Sequence, residues 1–442
     1  MYCTICPQKI SQHFSKNNKN WKKFILKHDY PKRYPHFDQQ VSMGRVSVQK
    51  QVLNRNRVSK HGFYPFIHYV QVHEIYGKKA KVKPRKLYYS SHRDRCIYQR
   101  YAFLLNEFYN EEMKFLNLDK VSIAYRNNLK KNNIDFAKVA FDSIREYSDC
   151  WIYQGDFKEF FDSFDHNYLK ERIASLLNVK NLPEDFYAIF KNVAKFRYIE
   201  RSQIEKIYDM SQKGTIPKDI FEKCKEQISS QNKVGIVQGS PVSAIFSNIY
   251  MIEFDKLLND FVTNLNGKYM RYSDDFLLII PKICEEKRKE VGTFIKQTID
   301  NIPGLTIQSE KTDTFYYKGN TIVDCSSKER KSLDYLGFVF DGQAVTVRAK
   351  SIAKYYYRMH KKAKTIGKSK WMTKKGNKIT ASELYLLYSK SEKIDNLDVR
   401  KQTYIDYIIK AKKVLELKDP EVDALISHHK RKIRKAIKKW EK

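Results

Sequence analysis

Residues 269–280 read YMRYSDDFLLII. Two β-prone runs, 269–272 and 276–280, flank Ser273, Asp274 and Asp275, and Ser and Asp are turn formers. The stretch is predicted to be a β-hairpin whose tip projects two adjacent carboxylates. An isolated acidic pair at a hairpin tip is usually a solvated turn, so its meaning depends on the rest of the chain.

A second segment supplies that context. Residues 150–155, CWIYQG, form a strand-like run ending at Asp156. Phe160, Phe161, Phe164 and Leu169 then build an apolar face, and Asp165 stands where a helix N-cap is expected. Asp156 and Asp274 therefore both sit at strand ends. If the two strands are neighbours in one sheet, their carboxylates converge. Hard oxygen donors, together with substrate phosphates, suit Mg²⁺. Two such ions about 4 Å apart can activate a 3′-hydroxyl and stabilise leaving pyrophosphate, the chemistry of nucleotidyl transfer.

Composition points the same way. The 442 residues exceed one ordinary domain, and 14% aromatic content argues for packed cores. Lys and Arg total 84 against 50 Asp and Glu, a net charge of +34, which suits a polyanionic partner such as nucleic acid. Seven scattered cysteines make no disulfide framework and fit a reducing compartment. Cys3 and Cys6 form a lone CxxC, insufficient for a structural zinc site. No apolar run reaches membrane length, and the first ten residues lack signal-peptide order, so a cytoplasmic location without membrane partners is expected.

Three regions are expected. Residues 1–75 read as a basic N-terminal extension with some helix. Residues 76–345 alternate strand and helix signals. Residues 346–442 are rich in Lys and Tyr at helical spacing, and end in the basic run HHKRKIRKAIKKWEK.

YSDD resembles the Tyr-x-Asp-Asp signature of reverse transcriptases, and further blocks resemble that family in its order. They are PRKLYYSSHRDRCIYQ (84–99), SIAYRNN (122–128), GDFKEFFDSFDH (155–166), GIVQGSPVSAIFSNIYMIEFD (235–255), GLTIQSEKT (304–312) and LDYLGFVF (333–340). The resemblance implies an α+β right-hand polymerase with fingers, an antiparallel palm and a helical thumb. It implies an RNA template, a DNA product, dNTPs and two Mg²⁺ ions, with Mn²⁺ as a substitute. Oligomeric state stays open.

The resemblance also implies roles. Asp156 and Asp274 hold the metals and Asp275 assists. Lys311 protonates the pyrophosphate, or is a surface charge. Phe161 is the sugar gate that disfavours a 2′-hydroxyl, or else a core ring. Gln238 and Gly239 meet the incoming nucleotide, Gly239 by allowing close backbone approach. Ser240 and Pro241 continue that turn against nucleic acid. Arg85 binds triphosphate through its fixed donor fork, with added charge from Lys78 or Lys79. Tyr125 and Arg126 contact template or nucleotide, and Leu336 and Gly337 form the primer grip. Asp94 and Arg95 are expected to pair with each other within the fingers.

Only about 100 residues follow LDYLGFVF, with no nuclease-like His/Cys cluster. Ser273 stands where retron enzymes usually carry alanine, and no Val-Thr-Gly element is present. The chain therefore resembles stand-alone, defence-associated bacterial reverse transcriptases of the unknown-group or abortive-infection kind. A retron or group II intron role and a maturase-like RNA scaffold are the alternatives. Tyr355, Tyr356 and Tyr357 offer hydroxyls for protein priming, or serve packing and base stacking.

Overall fold

The computed structural model describes residues 19–72, 84–211, 214–231, 233–369, 371–372, 380–391 and 402–440. The expectations for Cys3, Cys6, Lys78 and Lys79 lie outside these. The strands in chain order are β1 (Phe66–Val72), β2 (Pro84–Tyr89), β3 (Asp149–Asp156), β4 (Arg197–Glu200), β5 (Ser229–Ser230) and β6 (Lys268–Tyr272). They continue as β7 (Asp275–Pro281), β8 (Asp313–Lys318), β9 (Thr321–Asp324), β10 (Leu333–Tyr335), β11 (Phe338–Phe340) and β12 (Val345–Val347).

The α+β right-hand arrangement is present. Its palm is an antiparallel sheet ordered β6-β7-β3-β8-β9. The 276–280 run shows no polar alternation because both faces of β7 are covered. Phe276, Leu278 and Ile280 join Trp151 and Tyr153 in one core. Leu277 and Ile279 join Cys150 and Ile152 in a second core, which also holds thumb residues Ile352, Tyr355 and Ile405. The palm sheet thus sits between two apolar layers, and only its strand ends are free to carry polar chemistry.

The fingers contain a sheet ordered β2-β1-β4-β5. This sheet spans the expected boundary near residue 75. β1 pairs antiparallel with β2, residue for residue from Ile67↔Tyr89 to Val72↔Pro84. Trp21, Val41, Met43, Val48 and Phe63 enter the same core as the palm helices. Residues 19–72 are therefore part of the fingers and not an appendage. The second boundary also moves, since β12 completes the small sheet β10-β11-β12 and the helical region starts at Ala349–Lys368.

That helix buries Ile352, Tyr355, Met359, Ala363 and Ile366, a spacing of three and four that makes one apolar stripe. Met359, Ala363 and Ile366 pack with Ile433, Ala436 and Ile437 of helix Pro420–Trp440, so the basic run as far as Trp440 is a packed helix with its charges outward. No helix among the described residues is long and apolar enough to cross a membrane.

Candidate active site

β6 and β7 close through a two-residue loop, Ser273–Asp274, since Tyr272 is the register partner of Asp275. Ser273 takes φ +62°, which short polar residues tolerate best. β3 runs antiparallel beside β7, with Asp156 directly opposite Asp275. Opposed residues in an antiparallel pair project to the same face, so these two carboxylates share one side of the sheet end. Sequence reading paired Asp156 foremost with Asp274. In the structure Asp274 meets this strand through its backbone, accepting from Phe157 N–H at 3.2 Å.

The electrostatics are those of crowded acids. Burial first, then the charges of Asp274 and Asp156, push the Asp275 carboxyl up to about 7. Asp274 is raised by burial and by Asp156. One cation already answers part of this charge: Lys311 Nζ lies 2.6 Å from Asp156 Oδ2. Lys311 is carried there by the segment after residue 304, where Lys158 N–H donates to Thr306 O at 2.9 Å and Gln308 N–H to Asp156 O at 2.8 Å.

Three hard oxygen donors whose like charges oppose one another fit a divalent cation chemically. Among the described residues no three His, Cys, Asp or Glu side chains are already closed around one point. Asp156 is held by the Lys311 ammonium, which an ion at that oxygen would have to displace.

The hairpin is anchored from below by a feature that sequence reading passed over. Arg271 and Asp255 are both 0% exposed. Arg271 donates from Nε and Nη2 to the two Asp255 oxygens, each at 2.7 Å, and from Nη1 to Ser273 O at 2.8 Å. Tyr269 also donates to Asp255, at 2.8 Å. The signal was available: an arginine within a strand flanked by buried residues demands an acid.

The remaining expected residues gather around the sheet end. Among Phe160, Phe161 and Phe164, only Phe161 is incompletely buried, so it is the ring able to meet a ligand. Its carbonyl accepts from Ile236 N–H at 2.8 Å, which ties it to the 235–241 turn. Gln238 Nε2 donates to Asp162 Oδ2 at 3.0 Å, and Tyr88 N–H to Gln238 O at 3.0 Å. Gly239 has φ +119°, and a Cβ there would be driven into the Tyr88 carbonyl. The close approach that Gly239 allows is thus to β2. Ser240 is buried with an unpartnered hydroxyl, and Pro241 is half-buried.

Arg85 is exposed on β2. Across from it, burial lowers the Lys354 ammonium, with Arg358, Arg85 and Lys350 adding repulsion, so fingers and thumb face each other with like positive charge. Tyr125 is 44% exposed and its hydroxyl lies 3.0 Å from Ser273 Oγ. Arg126 departs from the expected nucleic-acid contact. It is 4% exposed, and its guanidinium bonds Asn110 Oδ1, Asp119 O and Ser122 O at 3.0, 2.9 and 3.1 Å. A guanidinium consumed inside the protein positions the 119–122 loop.

Leu336 and Gly337 form the two-residue loop between β10 and β11, both at positive φ (+50° and +94°). That matches the hairpin turn whose twist suits paired strands. Next to it, buried Tyr335 has an unpartnered hydroxyl, raised by burial and by the Asp275 charge, so this hairpin sits beside the carboxylates. Asp94 and Arg95 do not pair with each other. Asp94 lies 2.6 Å from His61 Nε2, and Arg95 donates to Val41 O at 3.2 Å. Tyr355 is buried and stacks on Tyr404 at 5.2 Å, which makes it a thumb core ring.

No curated protein matches the chain in sequence. Similar solved structures include an apo telomerase from Candida tropicalis, with TM-score 0.42, 13% identity, and coverage of 95% of this chain and 68% of that one. A form of it truncated from the C-terminal domain has TM-score 0.40 and 12% identity, covering 66% and 58%. A Candida albicans telomerase in complex with a fragment of telomeric RNA has TM-score 0.40 and 12% identity, covering 86% and 56%. The chain thus spans little more than half the length of two of these proteins. Residues 78–340 match the family described as reverse transcriptase (RNA-dependent DNA polymerase). That match takes in every sequence block from β2 to β11, and the chain belongs to the reverse transcriptase family.

Proposed function

We propose that this chain is an RNA-directed DNA polymerase that copies an RNA, specifically a non-coding RNA associated with it, into DNA during bacterial antiphage defence. The observation that carries the catalytic part is the shared face of Asp156 and Asp275 at the ends of β3 and β7, with Asp274 in the adjoining loop. Asp156, Asp274 and Asp275 are the residues to hold two Mg²⁺ ions. When bound, such ions supply activation of the primer 3′-hydroxyl and neutralisation of the leaving pyrophosphate.

The chain's own groups do the rest. Phe161 presents a ring where a 2′-hydroxyl would sit. Gln238 and Gly239 hold the base and sugar side of the nucleotide, and Arg85 the triphosphate. Lys311, once released from Asp156, carries a proton at Nζ toward the pyrophosphate oxygens. Leu336 and Gly337 brace the primer end. The facing positive charge of Arg85 and Lys354 supports a polyanion between fingers and thumb. The defence assignment is supported by Ser273 before the acidic pair.

The test is direct. Purified protein given primer, RNA template, Mg²⁺ and dNTPs should make DNA, and Asp274→Ala should abolish both synthesis and phage protection. Sequencing of co-purifying RNA and DNA identifies the template. No DNA from any RNA, with protection intact in Asp274→Ala, would sink the proposal in favour of an RNA-binding scaffold.

A further inference from the structure

A cavity of about 710 Å³ with polar lining residues lies where helices Val46–Val52 and Arg55–Ser59 meet the start of helix His92–Phe115. It shares no residue with the carboxylate site. Lys50, Arg57, Lys60 and Arg93 line it, and no Asp or Glu does. None of the described ion pairs involves Lys50, Arg57 or Lys60, and all three are exposed.

Its floor is an ordered relay. Arg93 Nη1 donates to Gln51 Oε1 at 2.7 Å. Gln51 Nε2 lies 3.0 Å from His61 Nδ1, and His61 Nε2 lies 2.6 Å from Oδ1 of Asp94, which is 1% exposed. A carboxylate can only accept, so Asp94 takes the Nε2 proton of His61, and in the tautomer that carries it Nδ1 is the acceptor. The Gln51 amide must then turn its nitrogen to His61 and its oxygen to Arg93. The buried acid thereby holds a cation at the cavity floor in one orientation.

Four cations around one cavity with no acid in its lining repel one another, a cost that an anionic occupant removes. Guanidinium forks suit phosphate oxygens, and the Asn54 and Asn56 amides on the same rim can both donate and accept, as base edges and ribose hydroxyls require. The volume exceeds the need of a single phosphate and falls within the range of sites for nucleotide-sized ligands. We propose that this cavity is a second RNA-strand site, gripping phosphodiester groups of the RNA outside the catalytic centre. The RNA identity rests on the polymerase reading. The anion site does not.

The probe is a short, labelled, single-stranded homopolymeric RNA, bound to the full chain and followed by anisotropy across a salt series. Lys50→Gln/Arg57→Gln/Lys60→Gln should weaken binding and lower the slope of log affinity against log salt by about 2, at about 0.7 per lost phosphate contact. Lys287→Gln/Lys289→Gln/Lys296→Gln, the same charge change on the palm, should leave the slope unaltered.

Gly62 lines the cavity and a Cβ there meets nothing within 4 Å, so Gly62→Glu should weaken RNA binding at unchanged Tm. Primer extension on a short pre-annealed template should stay at the wild-type level in these variants. An unchanged salt slope in the cavity triple variant overturns the site. Displacement of the RNA by nucleoside monophosphate overturns the strand assignment in favour of a free nucleotide. A wild-type chain that extends no primer, yet loses salt slope in the triple variant, refutes the polymerase reading and keeps the anion site.

Discussion

Asp156 and Asp275 face one another across β3 and β7, residue against residue, at an end of the palm sheet that its two apolar layers leave open. Two carboxylates in that position oppose each other electrostatically, and Asp274 in the next loop adds a third charge. The arrangement is costly for an ion-free protein and useful for one that binds cations.

Asp156→Asn and Asp274→Asn should each lower primer extension by more than the roughly 10–100-fold typical of groups that only support a metal ligand. Because Asp274→Asn removes a charge from a repelling set, it should not lower Tm in EDTA. Single-turnover incorporation and thermal melts on the same samples check both halves. Extension within a few-fold of wild type would remove these residues from the chemistry.

Phe161→Ala opens space beside the nucleotide while Phe160 and Phe164 keep the core. Discrimination against rNTPs should fall by about tenfold or more, equivalent to about 1.4 kcal/mol. The ratio of kcat/KM for dCTP and CTP measures it. A proportional loss for both nucleotides would return Phe161 to a packing role.

The Arg271–Asp255 pair is wholly internal. Asp255→Ala leaves a buried guanidinium without its acid, and destabilisation of about 3–5 kcal/mol is expected in denaturant melts. Arg271→Met/Asp255→Leu should recover much of that stability. It should not recover activity, because the Ser273 carbonyl loses its Nη1 donor and the hairpin tip its anchor.

Gly239→Ala tests the seam between fingers and palm. The added methyl collides with the Tyr88 carbonyl at a φ that L residues rarely adopt. Stability should drop by about 1–3 kcal/mol. KM for dNTP should rise as the Gln238 carbonyl leaves Tyr88. A variant with wild-type KM would detach this turn from nucleotide binding.

His36 gives the fingers an acid sensitivity. Burial lowers its imidazole to about 3, with repulsion from His92 adding, and its Nδ1 accepts from Phe37 N–H at 2.9 Å. The folded state keeps this ring neutral, whereas the unfolded chain takes up a proton near the ordinary value of 6.5. Its contribution is therefore complete above about pH 6.5 and is lost progressively as pH falls toward about 3. Tm measured across that window should fall less steeply for His36→Asn than for wild type, and parallel curves would refute the assignment.

By itself, the sequence determined what is local. The β-prone runs around Ser273–Asp275 specified a hairpin with acids at its tip, and the run 150–155 a strand ending at Asp156. Asp165 marked the helix start it caps, accepting from Tyr168 N–H at 2.8 Å. The order of the blocks identified the family. These signals are readable because side-chain period and turn chemistry depend on neighbours in the chain.

Tertiary structure alone decided the rest. It set Asp156 opposite Asp275, placed Lys311 on Asp156, sealed Arg271 against Asp255, matched Asp94 with His61 and drew residues 19–72 into the fingers. Each joins segments that are separated in the chain. Strand register and buried charge pairing arise from long-range packing, where burial strengthens the demand for a partner but leaves the partner's address unwritten in the local sequence.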